Sequence, residues 1–317
     1  MYIYIYIAKR KCNRNDIMIE TLSLFSGGGG LDLGFISEGY TILKAVDNAE
    51  SAVATYRKNI GDHVVCEDLN NLDMTTLPKA NIVIGGPPCQ SFSLSGKRDA
   101  SDARGMLVWC FIDVLKEVQP KAFLFENVMG LLSAKNKDGL VVDQLVQAFS
   151  RIGYTVSLKV LNAADYGVPQ RRKRVIMVGL QSNETFIFPE PTHASVSSLL
   201  HEKYVSVYQA LSDLPSASNL NTEVLHYTMS PQHEYQVAMR RGNSVTEHTV
   251  PQMSELDKYI CSHVREGGNY MDIPKDVESQ RIRRLQREGG RTTSYGRLHR
   301  EKPAYTINTY FNRPNVG

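Results

Sequence analysis

The stretch IETLSLFSGGGGLDLGF, residues 19–35, decides the fold class of this chain. Residues 19–25 are mostly apolar and predict a buried strand, and the end of the stretch begins an amphipathic helix. The glycines Gly27–Gly30 lie between them, where they let a ligand approach the backbone and present amides at the start of the helix. Alone this turn is a weak signal, because many glycine turns are only tight turns.

Strands and helices alternate outward from this turn. The expected strands are TILKAV, HVVC, NIVIGG, KAFLFENV, YTVSLKVL and RVIMVGL, and the expected helices are AESAVATYRKN, 105–118 and 138–152. This alternation predicts an α/β fold with a doubly wound, mostly parallel sheet. Ligands of such sheets bind outside the carboxyl ends of the strands. Five glycine or polar clusters fall at these ends and are expected to converge on one rim: Gly27–Gly30, Asp47, Asp68, Pro88–Cys89 and Glu126–Asn127.

The regular alternation ends after about residue 181, where prolines, polar residues and basic runs such as RIRRLQREGGRTTSYGRLHR replace it. We therefore expect a poorly ordered extension over 1–17, a catalytic domain over 18–185 and a smaller, irregular region over 186–317. Met18 directly precedes the first expected strand and is a candidate start residue.

Composition bounds the class of protein. The 317 residues are 42% hydrophobic and 22% charged, as in soluble globular proteins, and the net charge of +3 permits a nucleic-acid partner without requiring one. The five cysteines form no C-x-x-C pair, which argues against a disulfide framework and a zinc site, so we expect no metal and a reducing, cytoplasmic setting. No apolar run is long enough to span a bilayer, so no membrane contact is expected.

The loop GGPPCQSFS, residues 85–93, holds the cysteine with the most unusual surroundings. Cys89 follows two prolines on the expected ligand rim, where a thiolate can reach a substrate. Cys66 and Cys110 lie inside apolar patterns, which is typical of structural thiols. Position alone favours a nucleophile at Cys89 over a structural thiol without deciding between them.

Glu126, in FENV, is expected at the same rim, where a carboxyl group suits proton donation. The alternative is an ion pair with an arginine of QRRKR, residues 170–174. Arg172 and Arg174 alternate at the start of a strand, so both are expected on one face, where they would hold a phosphate or a ring carbonyl. The alternative for this basic run is a solvated turn.

Two further rim carboxylates each have two interpretations. Asp47 would accept hydrogen bonds from ribose hydroxyls or cap the helix over 48–59. Asp68 would bind an adenine amino group or cap a helix. The residues alone leave both pairs of alternatives open.

Taken in order, four motifs resemble those of the DNA (cytosine-5)-methyltransferase family of the restriction–modification type. They are SLFSGGGGLDLGF, GGPPCQSFS, FENV and QRRKRVIMVGL, and the match covers residues 19–180. REGGNYMDIP and RLHREKPAYTINT look like segments of the family's target-recognition region. The resemblance implies a Rossmann-like, S-adenosyl-L-methionine-dependent catalytic domain with a target-recognition region after it.

The resemblance also implies a mechanism on a cytosine flipped out of duplex DNA. Cys89 would attack carbon 6 of the ring, Glu126 would contact ring nitrogen 3, Arg172 would hold the ring carbonyl and Arg174 would position the catalytic loop. The implied cofactor pocket is lined by Phe25, Ser26, Gly27, Gly29, Asp47, Asn48, Asp68, Leu69 and Pro88. The implied DNA contacts are Gln90, Ser91, Arg297 and Thr306.

Partners and alternatives follow from the same resemblance. Double-stranded DNA is the expected partner, a cognate restriction endonuclease is a further one, and the bacterial cytoplasm or nucleoid is the expected location. The family's usual C-terminal motifs are not found after YFNRPNVG, so we expect a truncated chain or a second polypeptide that supplies them, and weak activity of this chain alone. Rival interpretations are a tRNA cytosine-5 methyltransferase, an inactive DNA-binding subunit and, last, a nicotinamide dehydrogenase.

Overall fold

The computed structural model describes residues 18–88, 103–136, 138–217, 224–250, 252–291 and 293–307. The expected extension over 1–17 lies outside the described residues, as do Cys89, Gln90 and Ser91. The chain divides into two compact units. The first comprises the described residues of Met1–Asn162 and Lys173–Glu190, and the second those of Ala163–Arg172 and Pro191–Gly317.

The first unit is built on a seven-stranded sheet of order β3-β2-β1-β4-β5-β7-β6. All neighbouring strands from β3 to β5 pair in parallel, whereas β7 pairs antiparallel with both β5 and β6. The strands are β1 Ile19–Leu24, β2 Tyr40–Asp47, β3 Val64–Cys66, β4 Ile82–Gly85, β5 Ala122–Val128, β6 Thr155–Asn162 and β7 Lys173–Leu180. The expected doubly wound, mostly parallel sheet is confirmed, with each expected strand present.

Helices cover both faces of this sheet. Phe35, Val53 and Tyr56 of the first two helices pack on one face, and Phe111 and Phe149 of the next two pack on the other. The helices are α1 Gly30–Ser37, α2 Glu50–Asn59, α3 Ala103–Val118 and α4 Val141–Arg151, with 3-10 turns at Met74–Thr76 and Met129–Ser133 and a small hairpin of Lys135–Asn136 with Gly139–Leu140. Apolar side chains therefore alternate between two buried layers, as both faces of a parallel sheet require.

An aromatic cluster forms the centre of the larger layer. The Phe111 ring meets those of Phe123 and Phe125 edge to face, with centroids 5.9 and 5.3 Å apart, and Phe149 packs on Phe123 at 4.4 Å. Burial of each ring contributes roughly 1.5–3 kcal/mol. This layer fixes β4 and β5 side by side. One expected site cluster follows β4, and another, Glu126–Asn127, lies near the end of β5.

The second unit consists of short elements around its own small core. Ile260, Tyr270, Ile273, Ile282 and Tyr295 are buried in this core. The elements are a 3-10 turn at Ala163–Tyr166, the helices α5 Val207–Leu211, α6 Glu234–Met239, α7 Glu255–His263 and α8 Gln280–Glu288, a 3-10 turn at Tyr270–Asp272, and the paired segments His193–Ala194 with Glu202–Lys203 and Leu225–His226 with Ser244–Val245.

Two local expectations differ from the structure. Cys66, expected as a buried structural thiol, is exposed at the last position of β3, whereas Cys110 is half-buried in α3. The segment Ala163–Arg172, expected in the catalytic domain, belongs to the second compact unit, and the first unit continues to Glu190. No helix within the described ranges is long and apolar enough to cross a membrane.

Candidate active site

The glycine turn joins the end of β1 to α1 through an unusual backbone. Phe25 has a φ of +54°, a conformation that a residue with a side chain rarely adopts. Ser26 N–H then donates to the carbonyl of Val46 at 3.0 Å, which ties the end of β1 to the end of β2. Gly27 and Gly29 follow with φ values of +55° and +87°. The turn is thus held open at the carboxyl ends of two adjacent strands.

Gly27 and Gly29 meet different surroundings. A Cβ at Gly29 would overlap the side chain of Ile60 and lie 2.8 Å from the Tyr56 ring. A Cβ at Gly27 would have no described atom within 4 Å. Gly29 therefore allows α1 and α2 to pack closely, whereas Gly27 leaves open space at the rim.

The hydroxyl group of Ser26 is buried and has no hydrogen-bond partner among the described residues. A buried polar atom of this kind is costly unless a ligand, a water or another part of the chain satisfies it. Together with the open side of Gly27 and the positive φ at Phe25, it fits a polar ligand at this turn. These residues fit a small polar cofactor such as S-adenosylmethionine.

Asp47 ends β2 and binds the backbone on both sides of itself. Its Oδ2 accepts from the N–H of Gly27 at 2.8 Å, and its Oδ1 accepts from the N–H of Ala49 at 2.9 Å. Ala49 is the N-cap residue of α2 and no side chain caps the helix, so Asp47 does not act as the helix cap. The carboxylate also fixes the glycine turn.

Asp68 makes a local turn rather than a helix cap. Its Oδ1 accepts from the backbone N–H of Asn70 at 3.0 Å and from the Asn70 side chain at 2.9 Å. Asn48 is exposed, and Pro88 is half-buried at the end of the described segment. Leu69 is 4% exposed and packs in the larger core, so any ligand contact there would come from its backbone.

A buried acid behind the glycine turn was missed by the sequence reasoning. Asp32, in the first turn of α1, is completely buried and accepts hydrogen bonds from Ser23 Oγ at 2.6 Å and Tyr56 OH at 2.8 Å. The Tyr56 hydroxyl also lies 2.9 Å from His63 Nε2. Burial raises the pKa of Asp32 above its usual range, although both hydrogen bonds oppose this shift. A polar residue on the buried side of an otherwise amphipathic helix was the available signal.

Glu126 and Arg174 form the acid–arginine pair of the rim. Arg174 Nε donates to Glu126 Oε1 at 2.9 Å, and the two side chains are only 14% and 19% exposed. Of the two interpretations of Glu126, the structure thus contains the ion pair with an arginine of the QRRKR run. A Cβ at Gly86 would lie 3.2 Å from Glu126 Oε2. The second carboxylate oxygen therefore faces the segment that leads towards Cys89.

Asn127 is hydrogen-bonded to the segment Gly86–Pro88, and the sequence alone assigned it no role. Its side chain is 2% exposed, and its Nδ2 donates to the carbonyl of Pro87 at 3.3 Å. Its Oδ1 accepts from the N–H of Val128 at 2.8 Å. The amide thus ties the end of β5 to the proline pair directly before Cys89, and the only sequence signal was its place next to Glu126.

The remaining predicted residues lie in the second unit. Arg172 directly precedes β7, and Thr306 Oγ1 donates to the carbonyl of Arg171 at 2.8 Å. Arg297 is exposed and donates to the carbonyl of Cys261 at 2.9 Å, near the end of α7. Within the described ranges no group of three or more His, Cys, Asp or Glu side chains is arranged to hold a metal ion.

The structure therefore brings together two sets of predicted residues. Phe25, Ser26, Gly27 and Asp47 share one hydrogen-bonded turn, and Glu126 pairs with Arg174. Asp68 is not hydrogen-bonded to that turn in the described part of the chain. The ligand roles of all these residues stay predictions.

Three curated proteins that are similar to this chain are type II methyltransferases. A Neisseria gonorrhoeae relative, Type II methyltransferase M.NgoFVII, is 35% identical over 293 residues, which cover 91% of this chain and 69% of that protein. M.DdeI of Desulfomicrobium norvegicum is 38% identical over 237 residues, 71% of this chain and 56% of that protein. M.AquIA of a Picosynechococcus species is 40% identical over 223 residues, 63% of this chain and 90% of that protein.

A solved structure from E. coli, a prophage-encoded protein assigned as a DNA modification methyltransferase, has the same fold. It superposes with a TM-score of 0.66 and 23% identity, over 91% of this chain and 82% of its own. The family of C-5 cytosine-specific DNA methylases matches residues 19–310. The chain thus belongs to the C-5 cytosine-specific DNA methylases, the enzymes that transfer a methyl group from S-adenosylmethionine to carbon 5 of cytosine in DNA.

Proposed function

We propose that this chain methylates a flipped cytosine in a specific duplex DNA sequence through a covalent adduct with Cys89, in a restriction–modification system. The observation that carries the proposal is the Glu126–Arg174 pair at the end of β5, beside the Gly86–Pro88 segment that runs directly into Cys89. A weakly exposed carboxyl group beside the segment that leads to the proposed nucleophile supports a role in ring activation.

The covalent step overcomes the poor nucleophilicity of carbon 5. The Cys89 thiolate forms a bond to carbon 6 of the ring, and the electron pair of the carbon 5–carbon 6 double bond moves into the conjugated carbonyl and nitrogen 3. Glu126 donates a hydrogen bond or a proton at nitrogen 3, which stabilises that charge. Carbon 5 then forms a bond to the methyl group that S-adenosylmethionine would supply when bound, and the sulfur of the cofactor would keep the electron pair of the bond that breaks. A base then removes the proton at carbon 5, and the thiolate leaves as the sulfur–carbon 6 bond breaks.

The arginines have separate roles in this proposal. Arg174 fixes one oxygen of Glu126, so that the other oxygen is directed to the side of Gly86. Arg172 holds the ring carbonyl, as a guanidinium can donate two parallel hydrogen bonds to an acceptor. The resemblance implies that Arg174 positions the catalytic loop, and its contact with Glu126 adds a role in orienting the acid.

The glycine turn is the proposed cofactor site. The orphan hydroxyl of Ser26 and the open side of Gly27 support it. The other proposed cofactor residues are Phe25, Gly29, Asp47, Asn48, Asp68, Leu69 and Pro88. The proposed DNA contacts are Gln90, Ser91 and Arg297. The resemblance implies a further contact at Thr306, whose hydroxyl donates to the Arg171 carbonyl in this structure.

A trapping assay tests the proposal. Duplex DNA that contains 5-fluorocytosine blocks the final proton removal, so incubation with S-adenosylmethionine should give a covalent adduct on a denaturing gel. Cys89→Ala is the control for the nucleophile, and Cys66→Ala removes an exposed thiol at the end of β3 without touching the proposed one. An adduct that forms equally with Cys89→Ala would refute the proposed nucleophile.

The same assay distinguishes duplex DNA from transfer RNA, the alternative substrate. The long region over 186–317 favours duplex DNA, because a duplex-reading segment has to be housed somewhere, and a parallel reaction with transfer RNA tests the alternative. A second polypeptide and a cognate endonuclease are further proposed partners, and both rest on the family resemblance alone. Co-expression with a downstream open reading frame, followed by purification through a tag on this chain, tests the first of them.

A further inference from the structure

Residues 302–306, which we call the strap, pair with the loop 169–172, which we call the arginine loop. Ala304 N–H donates to the carbonyl of Pro169 at 2.9 Å, and Arg171 N–H donates to the carbonyl of Ala304 at 2.7 Å. Gln170 and Ala304 accordingly form a parallel bridge. The Thr306 hydroxyl adds a third hydrogen bond, 2.8 Å to the carbonyl of Arg171. Both segments belong to the second unit.

The strap is itself fixed by the rest of the second unit. The N–H of Val207, the first residue of α5, donates to the carbonyl of Lys302 at 3.0 Å. The Tyr305 hydroxyl donates to the carbonyl of Gly296 at 3.2 Å. Ala304 is 6% exposed, so the middle of the strap is packed rather than free. The arginine loop is therefore held against an anchored segment.

We propose that Thr306 is a positioning residue whose hydroxyl fixes the Arg171 carbonyl and, through it, the backbone from which Arg172 extends. The inference rests on the proposed function, since Arg172 matters because it holds the ring carbonyl of the flipped cytosine. It gives Thr306 a role different from the phosphate contact that the resemblance implies.

The two roles compete for one proton. A threonine hydroxyl has a single hydrogen to donate, and phosphate oxygens only accept. While Thr306 donates to Arg171, it has no hydrogen left for a phosphate. The N–H of Arg171 donates to Ala304 and its carbonyl accepts from Thr306, so both backbone groups of Arg171 are held. Loss of the Thr306 hydroxyl would leave the bond to Ala304 but remove the one at the carbonyl.

The test uses the full chain and two variants of the strap residue. Thr306→Val keeps the shape and removes the hydroxyl, and Thr306→Ser keeps the hydroxyl. The matched control is Thr155→Val, which removes a 2.6 Å hydrogen bond from the Thr155 hydroxyl to the carbonyl of Ser182. Thr155 lies at the start of β6, at the opposite end of the strands from the rim. Three quantities are measured: the amide hydrogen exchange of 169–174 without DNA, the Kd for duplex DNA, and the rate of adduct formation at saturating DNA.

We expect Thr306→Val to speed amide exchange over 169–174 and to slow adduct formation about fivefold, the effect of one exposed hydrogen bond, with an unchanged Kd. Thr306→Ser should restore both values, and Thr155→Val should leave them as in the wild type. A Kd raised about fivefold with unchanged exchange would assign the hydroxyl to phosphate and overturn the proposal. So would no change in any of the three quantities. If the wild type forms no adduct, the proposed function fails, whereas amide exchange still decides whether the hydroxyl holds the arginine loop.

Discussion

Substitution of the two positive-φ glycines of the turn should separate folding from ligand binding. Gly29→Ala places a methyl group against Ile60 and the Tyr56 ring, where the packed α2 cannot give way easily. The left-handed conformation costs an alanine about 1–2 kcal/mol, and overpacking adds about 1–3 kcal/mol. We therefore expect Gly29→Ala to lower the free energy of unfolding by about 2–5 kcal/mol.

Gly27→Ala is the matched comparison, because its φ is also positive but its Cβ would meet no described atom within 4 Å. It should lower the free energy of unfolding by only about 1–2 kcal/mol. Its methyl group enters the open side of the turn, so the Kd for S-adenosylmethionine should rise about tenfold or more, which corresponds to about 1.4 kcal/mol of lost binding.

Urea unfolding followed by circular dichroism gives the first quantity, and calorimetric titration with S-adenosylmethionine gives the second. The two variants and the wild type should share one slope of free energy against urea, so that midpoints compare directly. Equal losses of stability in the two variants would refute the packing role of Gly29. Unchanged cofactor binding in Gly27→Ala would refute the open side of the turn as the ligand site.

Three further predictions concern the acids and the amide of the rim. Because burial raises the Asp32 pKa, the folded state holds this proton more tightly than the unfolded state. The contribution of Asp32 to the free energy of unfolding should therefore fall as pH rises above about 3.8. Asp32→Asn should lack this fall, and unfolding measurements from pH 4 upward test it. Glu126→Gln should slow adduct formation by about 10²–10⁴-fold, the usual loss of a positioned acid, and a rate within threefold of wild type would exclude that role. Asn127→Ala should cost about 1–3 kcal/mol of stability and slow adduct formation, since the carbonyl of Pro87 loses its buried donor; thermal unfolding and trapping measure the two effects.

Much of the fold follows from sequence because its signals are local. The apolar runs and the turn residues between them predicted every strand of the sheet, and the polar residues at the strand ends predicted the rim. Glu126 and the basic run were identified as possible partners, but only the antiparallel register selects Arg174, since Val128 lies opposite it. A choice among neighbouring arginines depends on which face each side chain takes, and that is set by pairing rather than by composition.

The errors and omissions have long-range causes. The burial of Asp32 had a local signal in the helix pattern, but its partners Ser23 and Tyr56 come from other elements and had none. The arginine loop joins the second unit through Thr306, a partner 135 positions away in sequence. Cys66 lies in an apolar run, yet it ends its strand at the surface. Contacts between residues that are distant in sequence leave no pattern in the residues around either partner.

The reversed direction of β7 has a consequence for how insertions and deletions are tolerated. Parallel strands bring their last residues to the rim, but β7 brings its first ones, so Arg174 reaches Glu126 through the hydrogen-bond ladder between β5 and β7. The loop before β7 can therefore vary in length without altering that pair. A single residue added within β7 after Arg174 would break the ladder or shift it by one position, and such a shift would turn the arginine to the other face of the sheet. An insertion after Arg174 should therefore remove the Glu126–Arg174 pair, whereas the length of the loop before β7 is limited by its bonds to Ala304 and Thr306 rather than by that pair.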